Sequence, residues 1–182
     1  MNFLMKKRER VSKVIFLMFV LFFIFVFLQF LSPIFSPSDT YLDLSGIVGV
    51  SNNEESIETM PFPFNFVYNC GDKLCHQKSE RSFFINGNQM PFCSRCTAIW
   101  VGLAVGLFVM LFYKIELNQR FLFIIIFSLV PIGVDGVGQL IGFWESSNLS
   151  RVITGLIIGV PVGFALGIIA DEIKTLYKSK TS

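Results

Sequence analysis

Charge is scarce in this chain: Asp, Glu, Lys and Arg make up 15% of its 182 residues, and the net charge is only +2. So small a basic excess argues against nucleic acid as a partner. Histidine is scarcer still, with His76 the only one, and there are four cysteines. That stock suffices for one metal site or two disulfides. No internal repeat is evident. No small-residue cleavage site follows the first apolar run, where Ser32-Pro33-Ile34 stands instead. The run is therefore expected to remain as an anchor and not to be removed as a signal peptide.

Apolar residues, by contrast, are abundant: 53% of the chain with 22 Phe, and a mean hydropathy of +0.63. Soluble domains average about 45–50% even with Gly counted. The excess is gathered into Val14 to Leu31, Ala98 to Tyr113, Phe121 to Trp144 and Val152 to Ala170. A spanning helix takes roughly 20 residues; the second run is short, but Thr97 and Cys96 can extend it. The expected fold is an all-α membrane protein with four transmembrane helices. Ten of the fifteen basic residues fall in short segments on one side if the N-terminus is cytoplasmic. The positive-inside rule then puts both termini in the cytoplasm and the loop between helices 1 and 2 outside the plasma membrane.

The chain divides into five regions. Residues 1–31 are a basic cytoplasmic N-terminus and the signal-anchor helix. Residues 32–68 read as an external irregular segment broken by Pro33, Pro37, Pro61 and Pro63. Within it, Tyr41 to Val50 reads either as a short strand or as an interfacial stretch. Residues 69–96 hold all four cysteines, and Asn86-Gly87-Asn88 predicts a turn joining strands Phe83 to Ile85 and Met90 to Phe92. Residues 97–172 form a three-helix bundle, and 173–182 a basic cytoplasmic tail. Small residues recur every four positions as Gly155, Gly159, Gly163, Gly167 and as Ala98, Gly102, Gly106, with Gly138 and Gly142 spaced alike. Such stripes bring helix backbones together in lipid, within the bundle or against a second copy or membrane partner. The first helix has no Gly and is expected at the periphery.

The cysteines run C-x4-C, seventeen residues, then C-x2-C, with His76 beside Cys75. Structural zinc takes four Cys or His ligands in a tetrahedron. The set is Cys75, His76, Cys93 and Cys96, with Cys70 as the alternative to His76. An external location also suits two disulfides bracing the loop, as in an interaction protein. Redox use of Cys93 and Cys96 is the third reading, because a helix N-terminus and Arg95 both lower a thiol pKa. In architecture this last arrangement resembles quinone-linked disulfide-generating membrane enzymes and vitamin K epoxide reductase. The chain shows no quinone-site motif.

Asp135 lies inside the third run, placed about 12 Å below an outer end at Trp144. An ionisable group there costs about 2.5–3.5 kcal/mol, which marks function or a paired interior. Gln139 shares its face, and Arg95 or Arg151 is its expected partner. Together with Arg81 and Asn148 these residues make a candidate polar pocket beneath the cysteines, in which Arg81 and Arg95 can face an anionic group.

The order C-H-Q-x3-R-S-F, C-x-R-C-T, P-x3-D-G-x2-Q-x-x-G and N-x2-R-x2-T-G-x3-G occupies Cys75 to Phe83, Cys93 to Thr97, Pro131 to Gly142 and Asn148 to Gly159. These spaced motifs resemble the prokaryotic membrane-protein family called domain of unknown function 2085. Ala98 departs from the Gly usual there. Cys70 stands outside the pattern, so the resemblance favours Cys75, His76, Cys93 and Cys96. It implies no activity. The expectation is a non-enzymatic, transport-accessory or structural membrane protein with a zinc-like divalent ion, substrate unassigned. The rival is a membrane thiol–disulfide oxidoreductase.

Overall fold

Four of the helices are long and apolar enough to cross a bilayer. They belong to a computed structural model that describes the backbone of residues 5–181 and the side chains of residues 5–177. The first four residues, the last one and the side chains of Lys178 and Lys180 lie outside the described residues. The elements are β1 (Met5–Lys7), α1 (Lys13–Phe35), α2 (Glu54–Glu58), α3 (Phe64–Leu74), β2 (Ser82–Ile85), β3 (Asn88–Cys93), α4 (Ser94–Phe112), β4 (Tyr113–Ile115), α5 (Gln119–Leu140) and α6 (Asn148–Thr181). Two small antiparallel sheets, β1–β4 and β2–β3, thus accompany the helices.

The β2–β3 hairpin turns at Asn86 and Gly87, whose φ values are +53° and +72°. Both central residues of a type I′ turn need that left-handed region, and Asn-Gly supplies it. The register pairs Ser82 with Cys93 and Ile85 with Asn88. Cys93 is the last residue of β3 and also the N-cap of α4. The hairpin therefore delivers one cysteine to the helix entry, and α4 carries Cys96 in its first turn.

Below that point α4 and α6 approach closely. A Cβ on Gly102 would lie 2.8 Å from the Gly159 Cα, and one on Gly106 2.5 Å from the Val160 oxygen. No side chain larger than Gly fits at these crossings, so the two stripes are consumed against each other. Gly133 and Gly136 of α5 differ: nothing lies within 4 Å of a Cβ built on either. Helix α5 lies against α6, while α1 packs on α4 and on β3 and α3. The first helix is the least buried of the four spans, at the periphery as expected. Its Phe25 ring meets Trp100 at a centroid distance of 4.8 Å, edge-on.

The segment before the cysteines is more ordered than its prolines suggest. Helix α1 continues through Pro33 to Phe35, and α2 and α3 lie between there and Cys75. Tyr41 to Val50 forms no strand; Tyr41 and Leu44 are buried with Ile57, Met60 and Tyr68. Polar side chains hold it down. The Asn88 amide oxygen accepts from the Thr40 and Tyr41 backbone N–H groups at 2.9 and 3.0 Å. Asp72, fully buried, accepts from the Asn52 N–H at 2.7 Å and the Asn53 amide at 2.8 Å.

Helix α5 ends at Leu140, not at Trp144. Gly142 takes φ +76°, the Phe143 N–H bonds the Gly138 carbonyl at 2.9 Å, and the Trp144 ring folds over Gly138. This is a glycine helix stop. Asp135 consequently lies only about 7–8 Å below the helix end, at 1.5 Å per residue.

Candidate metal centre

Cys75 is the C-cap of α3 and leaves the helix in an extended conformation. His76 and Gln77 come next, and Gln77 turns the chain with a φ of +39°. Several bonds hold this turn. The Gln77 side-chain amide donates to the Pro91 carbonyl at 2.7 Å, and the Gly46 N–H donates to the His76 carbonyl at 3.1 Å. The Gln89 amide donates to the Gln77 carbonyl. Gly71 lets α3 lie against β3: a Cβ there would sit 1.8 Å from the Pro91 oxygen. The close approach brings Cys75 beside Cys93.

The ligand atoms of Cys75, His76 and Cys93 all lie within 4.8 Å of one another. Cys75 and Cys93 are buried and His76 is half-buried. The Cys93 N–H points at the Cys75 sulfur at 3.5 Å. Cys96 packs against the cluster that contains Cys75 and Cys93, although the triad that includes His76 does not contain it. Cys70, on α3, lies outside the triad; it packs against the cluster that contains Cys75 and Cys93 and also lines a hollow of about 630 Å³ with Asn65, Asn69 and Lys73. All four cysteines are free thiols.

The thiols are not equivalent. Hydrogen bonds from the Cys75 and Cys96 thiols hold the Cys93 thiol below its ordinary pKa, helped by the Cys96 backbone N–H. The Cys75 thiol is correspondingly pushed up, first by its hydrogen bond with Cys93 and then by burial. Cys93 also stands at a helix N-cap, where the backbone dipole favours a thiolate.

A polar floor adjoins the triad. The Ser94 hydroxyl, next to Cys93, bonds the Asn148 amide oxygen at 2.9 Å and the Arg81 carbonyl at 3.0 Å. The same Asn148 oxygen accepts from the Arg151 guanidinium at 3.0 Å, which also donates to the Gln139 amide oxygen at 3.1 Å. Asp135 forms its ion pair with Arg95. It also accepts from Gln139 at 3.2 Å and from the Ser146 hydroxyl at 3.1 Å. Of the two partners expected for Asp135, Arg95 takes the contact and Arg151 reaches it only through Gln139.

Arg151 is 6% exposed, and among the described residues no carboxylate pairs with it. Arg81, Arg95, Asp135 and Cys93 lie within its electrostatic reach. Arg81 sits at the rim, 3.5 Å from Glu80.

Three contributors are not among the residues singled out in the sequence. Gln77 stands in the C-H-Q motif, but nothing there shows that it braces the turn. Ser146 looks like any loop serine until Asp135 is placed beside it. Gly71 is the one a pattern could have flagged, as a lone Gly inside a helix.

The family profile described as Predicted membrane protein (DUF2085) matches residues 75–165. That range contains the triad, Cys96 and the polar floor, and excludes Cys70. An uncharacterised protein of Methanocaldococcus jannaschii is 43% identical over 95 residues, which are 50% of this chain and 60% of that relative. An uncharacterised protein of Methanothermobacter thermautotrophicus is 32% identical over 103 residues, 57% of this chain and 89% of the relative. No solved structure matches. With the matched range beginning at the cysteine of C-H-Q and running through all the spaced motifs, the chain belongs to the DUF2085 family of predicted membrane proteins.

Proposed function

We propose that this protein is a multi-pass plasma-membrane protein whose externally placed Cys75, His76, Cys93 and Cys96 hold one zinc-like divalent ion above a polar floor. Its role is structural or transport-accessory and not catalytic. The carrying observation is the triad of ligand atoms mutually within 4.8 Å. Tetrahedral zinc with bonds of about 2.0–2.3 Å needs ligand atoms about 3.5–4 Å apart, so modest side-chain rotations would close the site.

Two further observations support the fit. The His76 Nδ1 is buried with no hydrogen-bond partner. Leaving such a group unsatisfied costs about 1–3 kcal/mol, and ligation, or the fixing of the ring that accompanies it, removes that cost. The floor is rich in guanidinium, and Arg151 lies in electrostatic reach of Cys93. A divalent ion bound by three thiolates and a neutral imidazole carries a net negative charge, which such a floor accommodates.

Metal analysis with a free-thiol count tests the proposal. One ion per chain is expected, lost in Cys75→Ser and Cys93→Ser. Absence of metal in protein whose thiols are oxidised ends it.

The thiol–disulfide reading keeps one observation in its favour: Cys93 caps the N-terminus of α4 with Cys75 and Cys96 packed beside it. In that case Cys93→Ser would abolish mixed disulfides with a partner and leave metal content at zero throughout.

A further inference from the structure

At the far end of α4, about 28 Å from the thiols along its 19 residues, a second arrangement of charge occurs. Arg8, Lys114 and Lys174 line a hollow of about 240 Å³ together with Asp171 and Thr175. Arg8 grips Asp171 with both terminal nitrogens, at 3.0 and 2.6 Å. Its backbone N–H bonds the Phe112 carbonyl at 2.7 Å. The β1–β4 pairing sets Lys6 opposite Lys114, so the walls of the hollow are fixed by backbone and ion pair alike. Asp171 is occupied by Arg8. Neither Lys114 nor Lys174 has an ion-pair partner among the described residues.

Lys174 also borders a groove of about 590 Å³ between α1 and α6, whose walls include Val14, Met18, Leu166, Ile169 and Ile173. From Lys174 to Leu166 the groove runs along α6 for about 12 Å toward the middle of the bundle. Its lining is apolar apart from Lys174 and Tyr177 at the same end. A hollow with excess positive charge thus opens, at one shared residue, onto a hydrocarbon-lined channel.

We propose that the two hollows form a single site for a phospholipid of net negative charge. The headgroup phosphate lies between Lys114, Lys174 and the Thr175 hydroxyl, and one hydrocarbon tail lies in the groove between α1 and α6. Basic residues near a membrane surface each favour anionic lipid, and here two are held around one hollow. The site is independent of the metal centre, and its test involves neither the thiols nor a metal.

The experiment uses the full chain, purified in detergent and stripped of lipid. Native mass spectrometry and thermal-shift titration are run with short-chain phosphatidylglycerol, with phosphatidylcholine bearing the same tails, and with inorganic phosphate. One phosphatidylglycerol per chain is expected, bound about thirty-fold tighter than phosphatidylcholine, equivalent to about 2 kcal/mol for two basic groups. Lys114→Gln/Lys174→Gln, at two exposed positions, should erase that preference. Val14→Trp, which fills the groove, should weaken both lipids together. Equal affinity of the wild type for the two lipids overturns the proposal, as does an unchanged preference in the lysine variant. Inorganic phosphate binding as tightly as phosphatidylglycerol would leave the groove without a role and overturns it too.

Discussion

Gly71→Ala perturbs the metal centre without touching a ligand. The added Cβ would lie 1.8 Å from the Pro91 carbonyl oxygen and 2.8 Å from the Gln77 side-chain nitrogen. A carbon–oxygen contact needs about 3.3 Å, so α3 and β3 must part by about 1.5 Å. Cys75 is one helical turn further on, with its N–H bonded to the Gly71 carbonyl at 2.9 Å, and it moves with α3. Cys93 ends β3 and stays behind. Metal sites tolerate ligand displacements of about 0.2 Å, far less than this separation. The expected result is a 10–100-fold loss of metal affinity, or about 1.4–2.8 kcal/mol, read by competition with a chromogenic chelator. Overpacking adds a stability loss of about 1–3 kcal/mol. Gly163→Ala is the control. Its Cβ would meet the Leu103 oxygen at 2.6 Å, deep in the α4–α6 contact, and should lower the melting temperature while leaving metal affinity alone. If Gly71→Ala binds metal as the wild type does, the reasoning that ties α3 packing to the site is refuted.

Asp135→Asn removes the only carboxylate that pairs with Arg95 among the described residues; a loss of about 3–5 kcal/mol is expected in a melting experiment, and Arg95→Leu/Asp135→Leu should recover part of it. Cys70→Ser should leave metal content and affinity unchanged, because Cys70 lies outside the triad; loss of the ion would return Cys70 to the ligand set. Metal binding should release protons from the thiols, and from the imidazole where it is protonated, so apparent affinity rises with pH. A flat affinity between about pH 6 and 8 contradicts thiolate ligation.

The fold is legible in the sequence wherever the deciding forces act locally. The spans are readable because hydropathy alone decides them. The hairpin is readable because Asn86-Gly87 meets the demand for positive φ within two residues. The α4 and α6 stripes are readable, but the same spacing misleads at Gly138 and Gly142: the first is covered by Trp144 and the second stops a helix. Read as a stop signal, Gly142 would have placed Asp135 nearer the helix end. The segment before Cys75 was opaque because α2 is five residues long and the stretch is held by partners distant in sequence, Asp72 for Asn52 and Asn53 and Asn88 for Thr40 and Tyr41. The β1–β4 pairing was opaque for the same reason, since three-residue strands carry no pattern. At the site, motif spacing singled out Cys75, His76 and Cys93, whose ligand atoms lie within 4.8 Å of one another, and the polar residues of the floor, which bond one another. It left open which arginine Asp135 would take, because Arg95 and Arg151 both project from the thiol end of the bundle.

Metal content measured together with free thiols on the same anaerobically purified protein bears most directly on the centre. One divalent ion per chain, retained in Cys70→Ser and lost in Cys93→Ser, is the predicted result. Wild-type protein free of metal, with Cys93 and Cys96 joined in a disulfide, would contradict it.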